Sequence, residues 1–381
     1  MSAALSPRLP LTEAQRAALF PAAIKYAYLD NAYRGPTCTP SADAARAQID
    51  ESARNGSLSI GPAQKAMDAT MAHFARFVGA KESEVCFLAN ATEAFTRVTL
   101  GIDWRAGDRV VAPADDYPGV LRPLIDLKRR GVEVTLVPAG KDGAADLLAA
   151  CDAKTRLVAS SHVSFRHGYR LDVAALCAGA RKRGVLTVID CVQSVGALQV
   201  DVAAIGCDFA TFAARKFLCA LDALGVLYVR GESLGKLTPS SLGMFSVAEP
   251  YDMTKIEQPL AAGARRFRLG AASFAQVAAM EAALGLAESI GIAAIEKRVL
   301  ALNADIRKRA KAARIEIFGA DWPESARSAI VALKLPAGRD EAVHKSLRAA
   351  NVIASVRNGL LRVSPHYYNN EADLDRLFAV L

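Results

Sequence analysis

Two residues of opposite charge, Asp190 and Lys216, stand at the ends of neighbouring apolar runs. The first run, Val185-Leu-Thr-Val-Ile-Asp190, has the pattern of a buried strand that ends in a carboxylate. The second, about a strand and loop later, is Phe209-Ala-Thr-Phe-Ala-Ala-Arg-Lys216. A carboxylate so placed can keep a pyridine nitrogen protonated and make the ring an electron sink, and a desolvated lysine near a cation has a lowered pKa suited to Schiff-base chemistry. A structural ion pair between two strand ends would leave the same trace. Spacing alone leaves both readings open.

The elements that must position these residues are legible around them. From Glu84 to Val229 short apolar runs alternate with longer helical patterns, the signature of crossover units on a parallel sheet. Seven strands are predicted, near Val85–Leu88, Arg109–Ala112, Val132–Val137, Arg156–Ser160, Val185–Ile189, Phe209–Ala213 and Gly225–Val229. Near-continuous apolar strands are buried on both faces, which puts functional residues just beyond their carboxyl ends. After Tyr228 a Pro- and Gly-containing stretch leads into alanine-rich helical sequence from Ala272 to Ala313. Strands at Ile315–Phe318, Ala329–Leu335 and Gly359–Ser364, a helix at Asp340–Ala350 and a last helix from Asn370 then predict a small α+β unit. The expected division is an N-terminal arm (1–25), a large domain (26–255) and a small C-terminal domain (256–381).

With 381 residues, 52% hydrophobic and 23% charged, the composition is that of a folded globular chain of two unequal domains. The alanine-rich run Ala271–Ala294 is broken by Gln276, Glu281 and Glu288, so no membrane span is expected, and the opening residues lack the pattern of a secretion signal. A cytoplasmic location follows as the expectation. Seven scattered cysteines without a C-x-x-C pair suggest neither a disulfide framework nor a metal site. The net charge of +8 raises nucleic-acid binding. Two of the basic clusters, Lys128-Arg129-Arg130-Gly131 and Arg181-Lys182-Arg183-Gly184, instead read as helix C-termini, where cations complement the dipole and glycine supplies the cap.

Several ordered motifs resemble the class V aminotransferases, a group that includes cysteine desulfurases, kynureninase and isopenicillin N epimerase. Tyr28-Leu-Asp-Asn-Ala32 is similar to the family's opening strand, Asn90-Ala-Thr-Glu-Ala94 to its phosphate turn and His162-Val-Ser164 with Gly168 to its mid-sheet motif. Asp190-Cys-Val-Gln193 matches its ring-binding motif, and Ala213-Ala-Arg-Lys216 stands where the family has Ser-Gly-His-Lys. The resemblance covers nearly the whole chain. It implies an α/β protein of PLP (pyridoxal phosphate) fold type I, with a mostly parallel seven-stranded sheet, helices on both faces and a smaller α+β domain. It further implies that Lys216 binds PLP as a Schiff base and moves the substrate's Cα proton, that Asp190 holds the pyridinium and that Gln193 bonds the phenolic oxygen. Val192 would pack on one ring face and Tyr117 on the other. Ala91 and Thr92, at a helix start, would grip the phosphate with Arg215 as a fixed cation, and His162 joins the cofactor side. Asn31, Ala32, Arg357 and Arg362 fall on the substrate side, where the arginine matching Arg362 takes the α-carboxylate through two parallel hydrogen bonds. An amino-acid substrate, a keto-acid partner and a homodimer are the implied partners.

The departures from the pattern are specific. The serine before the lysine is Ala213, the threonine that relatives supply from a partner subunit is Ala271, and the histidine is Arg215. Two lost hydroxyl contacts at about 1 kcal/mol each predict PLP held tens-fold more weakly unless Arg215 or Arg266 compensates. Phe165 replaces the asparagine that often follows His-Val-Ser, with Arg166 and His167 next, a change that either turns the pocket towards an acidic substrate or places Arg166 on the surface. Only Asn358-Gly-Leu-Leu361 separates Arg357 from Arg362, and no cysteine follows Cys219, so the loop that carries a persulfide-forming thiol in the desulfurases is absent. Transamination is the leading expectation. Elimination, including C–S lysis that needs no such cysteine, or epimerisation on the same lysine comes next, and a non-catalytic binding module is the rival of another class.

Overall fold

The computed structural model describes residues 8–138 and 143–381. Among them, β2 (Val85–Leu88), β3 (Arg109–Pro113), β4 (Glu133–Val137), β5 (Thr155–Ser161), β6 (Leu186–Asp190), β7 (Phe209–Ala213) and β8 (Gly225–Val229) form one seven-stranded sheet. Its order is 2-8-7-6-5-3-4, and β8 alone runs antiparallel to its neighbours. Seven apolar runs in the sequence thus become seven strands within a residue or two of their expected ends.

The double burial expected of such strands is met residue by residue. Val110 and Ala112 of β3 face a core with Phe95 and Val98 of the Ala91–Gly101 helix and Leu124 of the Pro118–Asp126 helix. Val111, between them, faces the opposite core with Phe74, Leu176 and Met280. Period-two alternation therefore sorts one strand between two apolar layers.

The alanine-rich stretch is two helices rather than one, Phe274–Ile290 and Ile292–Ala312, bent by 79°. Gly291 takes φ 89° at the joint, a conformation that breaks a helix. The first of the two packs on the Thr39–Asn55 helix, where Ser41 donates to the Ala279 carbonyl. No single helix among the described residues is long and apolar enough to cross a membrane.

A smaller layer holds β9 (Val331–Lys334), β11 (Ser355–Arg357) and β12 (Leu360–Val363) in antiparallel order 11-12-9. The strand expected at Ile315–Phe318 is reduced to a single bridge, Ile317 to Leu333. β1 (Ala27–Tyr28) pairs in parallel with β10 (Val352–Ile353), and Ala27 and Leu29 join the same core as Leu302, Leu333, Leu361 and Leu374. The start of the chain is thereby seated on its end. Arg16 and Asp373, both buried, form an ion pair across 357 residues.

Candidate active site

The carboxyl ends of β2, β5, β6 and β7 and the amino end of β8 meet at a cavity of about 390 Å³. Asp190 ends β6 and Lys216 follows β7, so the chain's local pattern delivers both to one rim. Ala91, Thr92, Tyr117, Asp190, Val192, Gln193, Arg215 and Lys216 all line it. Asn90 caps the Ala91–Gly101 helix by accepting from the Glu93 amide at 2.8 Å. Asn90 rather than Thr92 thus caps this helix, and the Ala91 and Thr92 amides keep no protein acceptor among the described residues. Such a helix start, with Arg215 beside it, is an anion cradle. Gly225 holds it open: a Cβ there would collide with the Asn90 and Ala91 backbone.

Lys216 is buried. Its Nζ lies 5.3 Å from the Tyr117 ring centroid, and Tyr117 meets Phe165 edge-on at 5.2 Å. Burial pushes the lysine's pKa below its ordinary range against the opposing pull of Asp190, and Arg362, Arg215 and Arg357 push it the same way as burial. Burial raises the Asp190 carboxyl, which accepts from the Val192 amide at 2.8 Å, while Lys216 works to lower it. Gln193 donates to the Ala32 carbonyl at 3.0 Å and leaves Oε1 buried without a partner among the described residues.

Five expected residues lie outside the lining. His162 follows Ser161, which does line the cavity, and the strand's alternation turns its ring into the interior, where burial lowers its pKa to about 3. Asn31 is spent internally, donating to the Ser364 carbonyl and accepting from the Tyr368 hydroxyl. Ala32 offers its carbonyl to Gln193. Arg357 is exposed, with its guanidinium 5.5 Å from the Tyr33 ring centroid. Arg362 is buried next to the cavity: it donates to the carbonyl of Phe165 at 2.7 Å and pairs with Asp30 at 3.2 Å, while its Nε has no partner among the described residues.

The two arginines expected to compensate for the missing hydroxyls divide. Arg215 lines the cavity and also reaches Asp222 at 3.4 Å, whereas Arg266 donates to the Ala261 carbonyl and stays away. Ala213 lines the cavity; Ala271 lines a separate hollow with Arg268. Of the two readings of the 165–167 segment, the surface location holds: Arg166 is exposed and His167 turns to Asp115 in another cavity, while Phe165 alone lines this one. Sequence reasoning passed over Asp30, Asp116 and Ser161. Asp30 lies inside the Tyr28–Ala32 motif and Asp116 beside Tyr117, so adjacency to motif residues was their only signal.

The sequence profile of the aminotransferase class-V family matches residues 27–377. The chain belongs to that family. Class V enzymes are PLP-dependent, and the fold is PLP fold type I. A probable cysteine desulfurase of Methanothermobacter thermautotrophicus is 31% identical over 74% of this chain and 71% of its own. The uncharacterized aminotransferase YcbU of Bacillus subtilis is 28% identical over 79% of each. Among solved structures, the cystine C–S lyase C-DES in complex with its product cysteine persulfide superposes with a TM-score of 0.88 at 22% identity, covering 94% of this chain and 98% of its own. For this class V chain, the described residues offer what PLP requires. They supply free amides at a helix start for a phosphate, a buried carboxylate for a ring nitrogen and a buried lysine for the aldehyde.

Proposed function

We propose that this class V enzyme holds PLP on Lys216 and acts at the Cα of a small amino acid, transferring its amino group to a keto acid. The observation that carries the reading is the convergence of Lys216, Asp190 and the free helix start at Ala91 and Thr92 on one cavity. PLP, when bound, supplies an electron sink for the pair released at Cα. Lys216, kept partly neutral by burial, is the group that moves the Cα proton. Asp190 supplies the charge that favours a protonated ring nitrogen. The Ala91 and Thr92 amides, the Thr92 hydroxyl and Arg215 take the phosphate, and Arg362 receives the substrate carboxylate.

Lys216→Ala should abolish the borohydride-reducible pyridoxyl adduct seen in wild type after incubation with PLP. An adduct that persists in the variant overturns the assignment. For the reaction, the PLP-loaded protein is given single amino acids without a keto acid. Stoichiometric keto acid and pyridoxamine phosphate without ammonia support transfer.

A second reading, C–S lysis, is favoured by the names of relatives and by the β11–β12 hairpin. Its two-residue turn, Asn358 and Gly359 at φ 50° and 74°, leaves no room for a thiol-bearing loop, so sulfur would leave without capture by a protein cysteine. Catalytic release of ammonia and sulfide from cysteine or cystine would select it. A homodimer fits the apolar surface exposed by Leu242, Met244, Tyr251, Met253 and Ile256, and light scattering on the purified protein checks it. Seven unpaired cysteines suit a reducing, cytoplasmic setting.

A further inference from the structure

A second cavity, about 310 Å³, lies at the carboxyl edge of the same sheet, over β3, β4 and β5 rather than β6 and β7. Its far wall is the 318–322 turn of the small domain. Trp322 meets Tyr169 edge-on at 5.0 Å, and His167 stacks on Phe318 at 4.9 Å, 16° from parallel. Gly319, at φ 66°, lets the turn fold so tightly that the Trp322 ring lies over it. The wall is therefore aromatic and fixed by packing.

Among the described residues the charges in the lining have one sign. Asp115, Asp116, Asp146 and Asp321 line the cavity, and no lysine or arginine does among the described residues. Two of the carboxylates are already engaged: Asp116 accepts from the Ser161 amide and hydroxyl and from the Tyr117 amide, and Asp115 meets His167 at 3.2 Å. Asp146 differs. Its Oδ2 is buried and has no hydrogen-bond partner among the described residues. The Asp146 side chain lines the cavity and meets no donor among the described residues, so a cation that reaches it gains a charge-assisted hydrogen bond without displacing another partner. Among the described residues the cationic neighbours do not fill the role: Arg166 is exposed and acts on Asp115 through its field, and Arg170 is held by Glu296. No three of the described histidine, cysteine and acidic side chains are grouped to hold a metal ion.

We propose that this cavity binds a small organic cation carrying an alkylammonium or guanidinium group, with the aromatic faces on its stem and the Asp146 carboxylate at its charged end. Aromatic faces attract such cations, and partial burial strengthens both the cation–π contact and the charge-assisted hydrogen bond. Ser161 lines both cavities, so the bound cation sits one side chain away from the Lys216 cavity. The site stands whether or not PLP binds at Lys216.

Trp322 reports on it directly. The chain has two tryptophans, and Trp104→Phe leaves emission from Trp322 alone. Butylammonium and butylguanidinium, titrated into the full chain at constant ionic strength, should change that emission saturably, whereas butyrate and butyramide should not. Asp146→Asn should weaken the cations about tenfold while the neutral and anionic probes stay silent. If Asp146→Asn gives no folded protein, Asp321→Asn, on the exposed rim, serves instead with a smaller expected loss. No saturable response to either cation, an equal response to butyrate, or unchanged affinity in the aspartate variant overturns the proposal. To separate a free ligand from the distal end of a basic amino acid in the Lys216 cavity, lysine is titrated into wild type and Lys216→Ala. Equal affinity for both assigns the cation to a site of its own, and lost affinity in Lys216→Ala assigns it to a substrate tail; both keep the cation in the second cavity.

Discussion

At Lys216 burial and a neighbouring carboxylate pull in opposite directions. Removing solvent disfavours the ammonium, Asp190 favours it, and the lowered pKa shows that burial, helped by three arginines, wins. Only the neutral amine attacks an aldehyde. The rate of adduct formation with PLP should therefore rise with pH and level off below the ordinary lysine range. Asp190→Asn removes the opposing term, so the midpoint of that rise should move to lower pH. A midpoint that stays or moves up, read by absorbance across a pH series, would show that Asp190 does not set the charge of Lys216. The pair itself was legible in sequence, because each residue ends an apolar run. Asp30 and its buried contact with Arg362 were not, because they join positions 332 residues apart.

At the scale of elements, helix starts and strand ends carry the site. The Ala91–Gly101 helix presents its first amides to the cavity only because the β8 backbone passes close beneath at Gly225. Gly225→Ala should therefore push the helix start aside and weaken PLP binding at least tenfold, about 1.4 kcal/mol, with secondary structure retained. Titration of the variant with PLP tests this, and wild-type affinity would deny the helix start its role. Element type was readable because period-two and helical patterns are local properties. The break at Gly291 was not, since alanine-rich sequence on both sides is equally helical and only the 79° change of direction requires a stop there.

For the whole molecule, two buried arrangements set stability. Arg16 is shielded at the join between the first and last parts of the chain, and its partner Asp373 also accepts from Asn369. Asp373→Ala leaves the buried guanidinium with Glu13, at 2.6 Å, as its remaining carboxylate partner and should cost about 1.5–3 kcal/mol in denaturant unfolding; a loss under about 0.5 kcal/mol would show the pair to be solvated. His162 and His366 are buried with pKa values lowered to about 3 and about 4 by desolvation, from 6.5. The unfolded chain binds their protons first, so stability should fall as pH drops below 6.5. At pH 5 each costs about 2 kcal/mol. The double variant His162→Gln/His366→Gln should flatten the pH 7 to pH 5 slope, and an unchanged slope would place the acid sensitivity elsewhere.

The sequence by itself determined the seven strands, their burial on two faces, the family motifs and the pairing of Asp190 with Lys216, because each follows from a local pattern or from the rule that parallel strands end at the site. Only the tertiary structure decided which motif residues reach the cavity. Strand alternation sends His162 inward from Ser161, contacts with Ser364 and Tyr368 consume Asn31, Arg357 stays exposed, and a second cavity with Asp146 and Trp322 forms where two segments far apart in sequence fold against each other. These outcomes depend on which way a side chain faces and on what lies opposite it, and no local pattern encodes the opposite wall.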